Sequence, residues 1–141
     1  MKPEKSSSPA VNQASMIRAI RGTRNIAYAR CAACEGAETS LERQLRAIHR
    51  FADRLSMRCV GEVRLAGVSG APPALRPDLL ELLARKRERN DYEVLVMEDF
   101  ARLIRAQSPE DLAVGDEFAR CGVRIFFLQD HEQAAQDGVA I

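Results

Sequence analysis

Four short apolar runs alternate along this chain with segments whose apolar residues recur at helical spacing. The runs are Asn25 to Cys31, Cys59 to Leu65, Tyr92 to Met97 and Val123 to Leu128. The third is nearly continuous in apolar residues, which is typical of a central parallel strand covered on both faces. The order strand, helix, strand, helix, strand, helix, strand therefore predicts a three-layer α/β/α domain with a mainly parallel central sheet.

The intervening segments carry signals for helix ends as well as helical periodicity. Thr39 and Glu42 form a plausible capping box before the first helix. Pro77 is suited to the first position of the second helix, and Ser108 opens the third. Gly122 is expected to close the last helix before the fourth strand.

Length and composition indicate one core. The chain has 141 residues, of which 46% are hydrophobic and 29% charged, as in ordinary globular domains. Residues 1–23 begin with a polar stretch without hydrophobic periodicity and are expected to be a disordered or poorly ordered leader. The domain is expected over 24–130, followed by a short tail over 131–141 with no helix-turn-helix domain.

Charge and apolar content limit the classes of partner. The formal net charge is +1, so any binding of nucleic acid has to come from local clusters of arginine. No apolar run reaches the roughly 18 residues of a membrane span, and the N-terminus lacks the apolar stretch of a secretory signal. A cytoplasmic protein with reduced cysteines, no cofactor and no membrane partner is expected.

Several residues fall at or after the predicted carboxyl ends of the strands, where ligands gather in parallel sheets. They are the polar residues Arg30, Ser69, Arg76, Arg102 and Arg105, together with the small residue Ala32. Tyr28, Arg30 and Ala32 share one face of the first strand, because side chains alternate along a strand. The guanidinium fork matches phosphate oxygens, so converging arginines would form a phosphodiester cradle.

The same residues belong to a longer frame. It runs Tyr28-Ala29-Arg30-Cys31-Ala32, Ser40-Leu41-Glu42-Arg43-Gln44, Ser69-Gly70, Arg76-Pro77 and Arg102-Leu103-Ile104-Arg105. Over roughly residues 24–128 this frame resembles the catalytic domain of serine recombinases, the resolvase/invertase family. The resemblance implies the fold of a DNA recombinase, an enzyme whose serine hydroxyl attacks a DNA phosphodiester.

The resemblance also assigns roles to individual residues. Arg30, Arg76, Arg102 and Arg105 match the arginines that bind the scissile phosphate. Gln44 matches a polar residue of the first helix that faces the site, and Ser69 matches a serine of the mobile loop. Ala32 stands where the family has its nucleophilic serine. The resemblance therefore implies a phosphate-binding site that has lost its nucleophile.

Other departures from the family pattern point the same way. Ala101 replaces an aspartate, neither Leu65 nor Ala66 supplies the acidic residue expected before Ser69, and Ile104 fills a position that favours a small residue. A catalytically inactive recombinase-like domain is expected, either a remnant of a mobile element or a selected inactive paralogue.

The chain reaches Ile141 without the long helix and DNA-reading module that follow this domain in the family. The expected partners are accordingly DNA, bound weakly through its phosphates, or an active recombinase. The expected oligomeric state is a monomer or a weak homodimer.

Three other interpretations compete with this one. Cys31-Ala32-Ala33-Cys34 is a C-x-x-C pattern, the basis for a small cytosolic redox or thiol protein. The remaining cysteines and histidines lack paired metal-ligand spacing, so no metal site is expected. The basic stretch 85–89 is expected to be a solvated helix end, with contact to a DNA backbone as the functional alternative.

Overall fold

A computed structural model describes residues 9–31, 36–66, 77–98 and 109–129. Within these ranges the chain alternates helices and strands. In chain order they are α1 (Pro9–Ile20), β1 (Arg24–Cys31), α2 (Ala37–Arg54), β2 (Arg58–Ala66), α3 (Pro77–Arg89), β3 (Val94–Met97), α4 (Pro109–Arg120) and β4 (Arg124–Phe127).

The strands form one sheet in the order β2-β1-β3-β4, and every neighbouring pair is parallel. β3 lies inside this sheet with all four residues buried, as expected for its near-continuous apolar sequence. Helices cover both faces, so the three-layer α/β prediction is confirmed. Each strand needs a helical crossover to its parallel neighbour, which places the carboxyl ends of all four strands along one edge.

The sheet separates two hydrophobic cores because strand side chains alternate between its faces. On one face, Ala27 and Ala29 of β1 pack with residues of α1 and α2. On the other, Ile26 and Tyr28 pack with residues of α3 and α4. Phe51 of α2 stacks on Phe126 of β4, with ring centroids 4.9 Å apart.

The start of the chain differs from the sequence expectation. Residues 9–20 of the expected leader form α1, and Ile17 and Ile20 are 2% and 0% exposed in the core on the α2 side. The polar residues around these two isoleucines hide the apolar contacts from a periodicity argument. Burial of the two side chains provides the stabilisation that the local sequence does not.

The expected capping box is also wrong in position. α2 begins at Ala37 after Gly36, whose φ of 83° is left-handed, and none of the described side chains caps this end. Thr39 therefore lies inside the first turn. The other helix limits agree closely with the sequence expectations, including the start at Pro77 and the turn at Gly122, where φ is 87°.

Candidate functional site at the carboxyl edge of the sheet

The strand order places a topological switch point beside the carboxyl end of β1. From β1 the chain crosses to β2 on one side, and from β2 it crosses back to β3 on the other. In open parallel sheets ligands bind at such a switch point, because the two connections leave in opposite directions. Arg30 lies at this end of β1, and Glu98 follows the end of β3.

Arg30 is largely removed from solvent. Its exposure is 7%, which is unusual for an always-charged side chain. Strand alternation places Arg30 on the face of Tyr28. Cys31 packs against the opposite core, beside α1 and α2. The alternation expected for this end of β1 is therefore present.

Gln44 fixes the backbone of Arg30. Its side chain is fully buried; Oε1 accepts the Arg30 N–H at 3.3 Å and Nε2 donates to the Arg30 carbonyl at 3.2 Å. β3 ends at Met97, opposite Tyr28, so the amide of Gln44 supplies hydrogen bonds past the end of the neighbouring strand. Gln44 Nε2 also lies 3.2 Å from Ser40 Oγ one helical turn earlier. Gln44 thus holds the end of β1 in register with α2.

Tyr28 connects the middle of the sheet to the start of α3. Its ring is fully buried, and its hydroxyl donates to Asp78 Oδ2 at 2.6 Å. Asp78 is the second residue of α3, where a carboxylate complements the positive end of the helix dipole. This hydrogen bond therefore fixes the start of α3 against β1.

A third connection crosses the same edge from α2 to β3. Arg43 Nη1 donates to Glu98 Oε2 at 2.5 Å, and the Glu98 side chain is 18% exposed. The backbone N–H of Gln129, just beyond β4, donates to the Glu98 carbonyl at 2.8 Å. Arg43 and Glu98 therefore join α2 to the ends of β3 and β4.

Two of the expected site residues, Arg30 and Gln44, are brought together by these contacts. The other expected site residues lie outside the described residues: Ala32, Ser69, Arg76, Arg102 and Arg105. The same holds for Cys34, Ala101 and Ile104.

Sequence reasoning did not assign roles to Asp78, Arg43 or Glu98. Each nevertheless carries a usable signal. Asp78 follows a proline at a helix start, and Glu98 directly follows a buried strand. Arg43 belongs to the helix that packs on that strand.

The described residues contain no group of three or more histidine, cysteine, aspartate or glutamate side chains able to hold a metal ion. None of the described helices is long and apolar enough to cross a membrane. Cys59 and Cys121 are thiols without a disulfide. Nothing in the described part of the chain supports a redox pair. Cys31 packs against the core, and Cys34 lies outside the described residues.

The fold and the residues at this edge agree with a comparison against protein families. The family described as "Resolvase, N terminal domain" matches residues 25–140. The chain belongs to this family. No curated protein matches it.

Two solved structures show the same fold as this resolvase-type domain. The C-terminal catalytic domain of ISC1926 TnpA, an IS607-like serine recombinase, has a TM-score of 0.60 and 23% identity, with 81% of this chain and 75% of that chain covered. The N-terminal catalytic domain of TP901-1 integrase has a TM-score of 0.63 and 18% identity, covering 76% and 78%. At these identities the likeness establishes the architecture of the resolvase-type domain.

Proposed function

We propose that this resolvase-type domain binds DNA phosphates at the carboxyl edge of its sheet and does not cleave them. Its phosphate ligands are Arg30, Arg76, Arg102 and Arg105, with Ser69 as a neutral donor. The observation that carries the proposal is Arg30, a residue that is 7% exposed at the switch point with its backbone held by Gln44. Because the backbone that carries this side chain is already fixed, only side-chain freedom is lost when the guanidinium binds an anion.

The second support is the Tyr28–Asp78 hydrogen bond. It fixes the start of α3 against β1. We infer that Arg76, which directly precedes α3 in the sequence, joins Arg30 in the cradle. Guanidinium groups recognise phosphate oxygens through paired N–H donors, so a small number of well-placed arginines suffices for binding.

Strand cleavage is not part of the proposal because Ala32 has no nucleophilic atom. Without an oxygen nucleophile no phosphoseryl bond can form, and the arginines contribute only binding and charge stabilisation. Ala101 replaces a carboxylate of the family pattern as well. The role that follows is a non-catalytic, cytoplasmic recombinase-like protein that binds DNA weakly, alone or paired with an active recombinase.

The test combines trapping of covalent adducts with binding. Supercoiled DNA is incubated with the natural protein and with the Ala32→Ser/Ala101→Asp variant, and protein–DNA adducts are resolved after denaturation. The natural protein is expected to yield neither adducts nor nicked DNA. Such an adduct from the natural sequence would overturn the proposed loss of cleavage.

Binding is measured by fluorescence anisotropy with a labelled duplex of arbitrary sequence. The Arg102→Gln/Arg105→Gln variant is expected to bind more weakly than the natural protein, and the slope of log K against log salt is expected to fall by about 1.8 for two lost phosphate contacts. The control is Arg46→Gln, an exposed arginine in the middle of α2. Equal binding by the control and the double variant would refute the cradle.

A further inference from the structure

The edge of the sheet opposite the candidate site is formed by four tightly joined turns. The N–H of Gly22 after α1 donates to the carbonyl of Leu55 after α2 at 2.9 Å, and the N–H of Arg58 donates to Thr23 at the same distance. The N–H of Arg124 donates to the carbonyl of Glu93, again at 2.9 Å. The ends of the helices and the starts of the strands thus form one continuous surface.

Six exposed arginines lie at this edge; Arg120 pairs with Glu117, and the other five define a surface that we call the basic face. These five are Arg21, Arg54, Arg58, Arg89 and Arg124. Within the described residues, none of them forms an ion pair with a carboxylate.

The carboxylates at this edge are largely occupied by other arginines. Asp91 binds Arg85 at 2.8 Å, and Glu93 binds Arg24. The guanidinium hydrogen bond of Arg85 lowers the pKa of Asp91, and that of Arg24 lowers the pKa of Glu93. Both carboxylates are therefore ionised at neutral pH and already paired. Asp53, beside Arg54, and Glu88, beside Arg89, are the acidic neighbours left in these turns.

Helix dipoles account for only part of the basic face. The carboxyl ends of the helices carry about half a negative charge each, which favours Arg54 and Arg89 in the last turns of α2 and α3. Arg58 and Arg124 are instead the first residues of β2 and β4. No helix terminus requires a cation at a strand start, so helix dipoles do not explain these two positive charges.

Arg58 and Arg124 also have a defined spacing. They begin the outer strands in the order β2-β1-β3-β4, and hydrogen-bonded strands lie about 4.8 Å apart. Three strand spacings separate them by about 14 Å. Phosphates of one DNA strand advance by about 3.4 Å of helix axis per nucleotide, so two arginines at this distance can contact different phosphates of one duplex.

We propose that the basic face binds the phosphate backbone of a second nucleic acid duplex, on the side of the domain opposite the candidate site. A protein partner fits less well, because stable protein interfaces need buried aromatic or aliphatic anchors. Among the described residues the exposed large apolar side chain is Leu80, near the beginning of α3 and away from this face. Protein–DNA interfaces are polar and strongly positive, as this surface is.

The test compares two double variants that change the net charge equally. Arg58→Gln/Arg124→Gln removes two arginines of the basic face, and Arg46→Gln/Arg64→Gln removes two exposed arginines elsewhere. A labelled 20-base-pair duplex of arbitrary sequence is titrated with each full-length protein between about 50 and 200 mM salt. The basic-face variant is expected to lower the slope of log K against log salt by about 1.8, and the control by much less.

Bridging provides the second measurement. One duplex is fixed to beads, and capture of a second, labelled duplex by bound protein is measured. The natural protein and the control are expected to bridge the two duplexes, and the basic-face variant is expected to lose bridging. Equal slopes and equal bridging for the two double variants would overturn the proposal, as would displacement of the labelled duplex by polyglutamate of equal charge.

The outcome is separable from that of the proposed cradle. If Arg102→Gln/Arg105→Gln weakens binding while the basic-face variant binds and bridges normally, the cradle is supported and the basic-face proposal fails. If instead the basic-face variant lowers the salt slope while Arg102→Gln/Arg105→Gln binds one duplex normally, the basic face is supported and the cradle is refuted. Thermal unfolding of each variant establishes that exposed-arginine changes leave the fold intact.

Discussion

At the scale of single residues, Asn25 is a polar side chain in an unfavourable, fully buried position. Of the described side chains, it is the one whose buried oxygen and nitrogen both lack a hydrogen-bond partner. A buried polar group left unpaired costs about 1–3 kcal/mol. We expect Asn25→Val to raise the free energy of unfolding by about 1–2 kcal/mol, measured by urea denaturation. Asn25→Asp is the opposite control and is expected to lower stability, since it buries a charge. A valine variant less stable than the natural protein would contradict the conclusion that the Asn25 side chain is buried unpaired.

Tyr28 allows a prediction about the site at the same scale. Tyr28→Phe removes the hydroxyl that holds Asp78, so the start of α3 is less well fixed. We expect stability to fall by about 1 kcal/mol and DNA affinity by about threefold. Both are measured, by denaturation and by anisotropy.

A matched control for Tyr28 exists in the same core. Tyr92 is also fully buried, and its hydroxyl donates to the Leu82 carbonyl at 2.7 Å. Tyr92→Phe is expected to lower stability comparably while leaving DNA affinity unchanged. The same loss of affinity in both variants would show that Tyr28 acts through general stability alone.

At the scale of the elements, α1 is part of the core of the domain. Ile20 is fully buried, and the turn after it is joined to α2 through Gly22 and Leu55. We expect Ile20→Ala to destabilise the domain by about 2–4 kcal/mol in urea denaturation, since it leaves a cavity between α1 and α2. The exposed neighbour provides the control: Ala19→Ser is expected to change stability by less than about 0.5 kcal/mol. Similar stability of the two variants would show that α1 does not contribute to the core.

At the scale of the whole molecule, the joined turns at the basic face make stability depend on pH. The hydrogen bond from Arg24 lowers the pKa of Glu93 in the folded state below its ordinary value of 4.5. A carboxylate with a lowered folded-state pKa stabilises the fold above its unfolded pKa, and that stabilisation disappears as pH falls through the folded pKa.

We therefore expect Glu93→Gln to lower the thermal midpoint at pH 7. The difference from the natural protein should stay constant above about pH 5.5 and close progressively as the pH is lowered below 4.5. Glu42→Gln, at an exposed position of α2, is the control and should show no such dependence. A constant difference down to acid pH would show that the Arg24–Glu93 pair does not couple to folding.

The candidate site was only partly predictable from sequence. Arg30 and Gln44 were singled out through their places in a motif, and the structure brings them together. Strand alternation correctly put Cys31 on the face opposite Arg30. The partners Asp78 and Glu98 were missed because a local pattern does not reveal which helix start or strand end lies opposite. The Tyr28–Asp78 and Arg43–Glu98 contacts depend on how the helical crossovers pack on the sheet.

The sequence by itself determined the four strands of this protein and the three helices that connect them. Apolar runs such as Tyr92 to Met97 can bury both faces only inside a sheet, and periodic segments such as the one opened by Pro77 need a sheet face to cover. Tertiary structure alone decided that Ile17 and Ile20 belong to the core. It also decided that the arginines at the starts of β2 and β4 lie on one surface. Both outcomes depend on contacts between residues far apart in the chain, whose free energy is gained only after the sheet has formed.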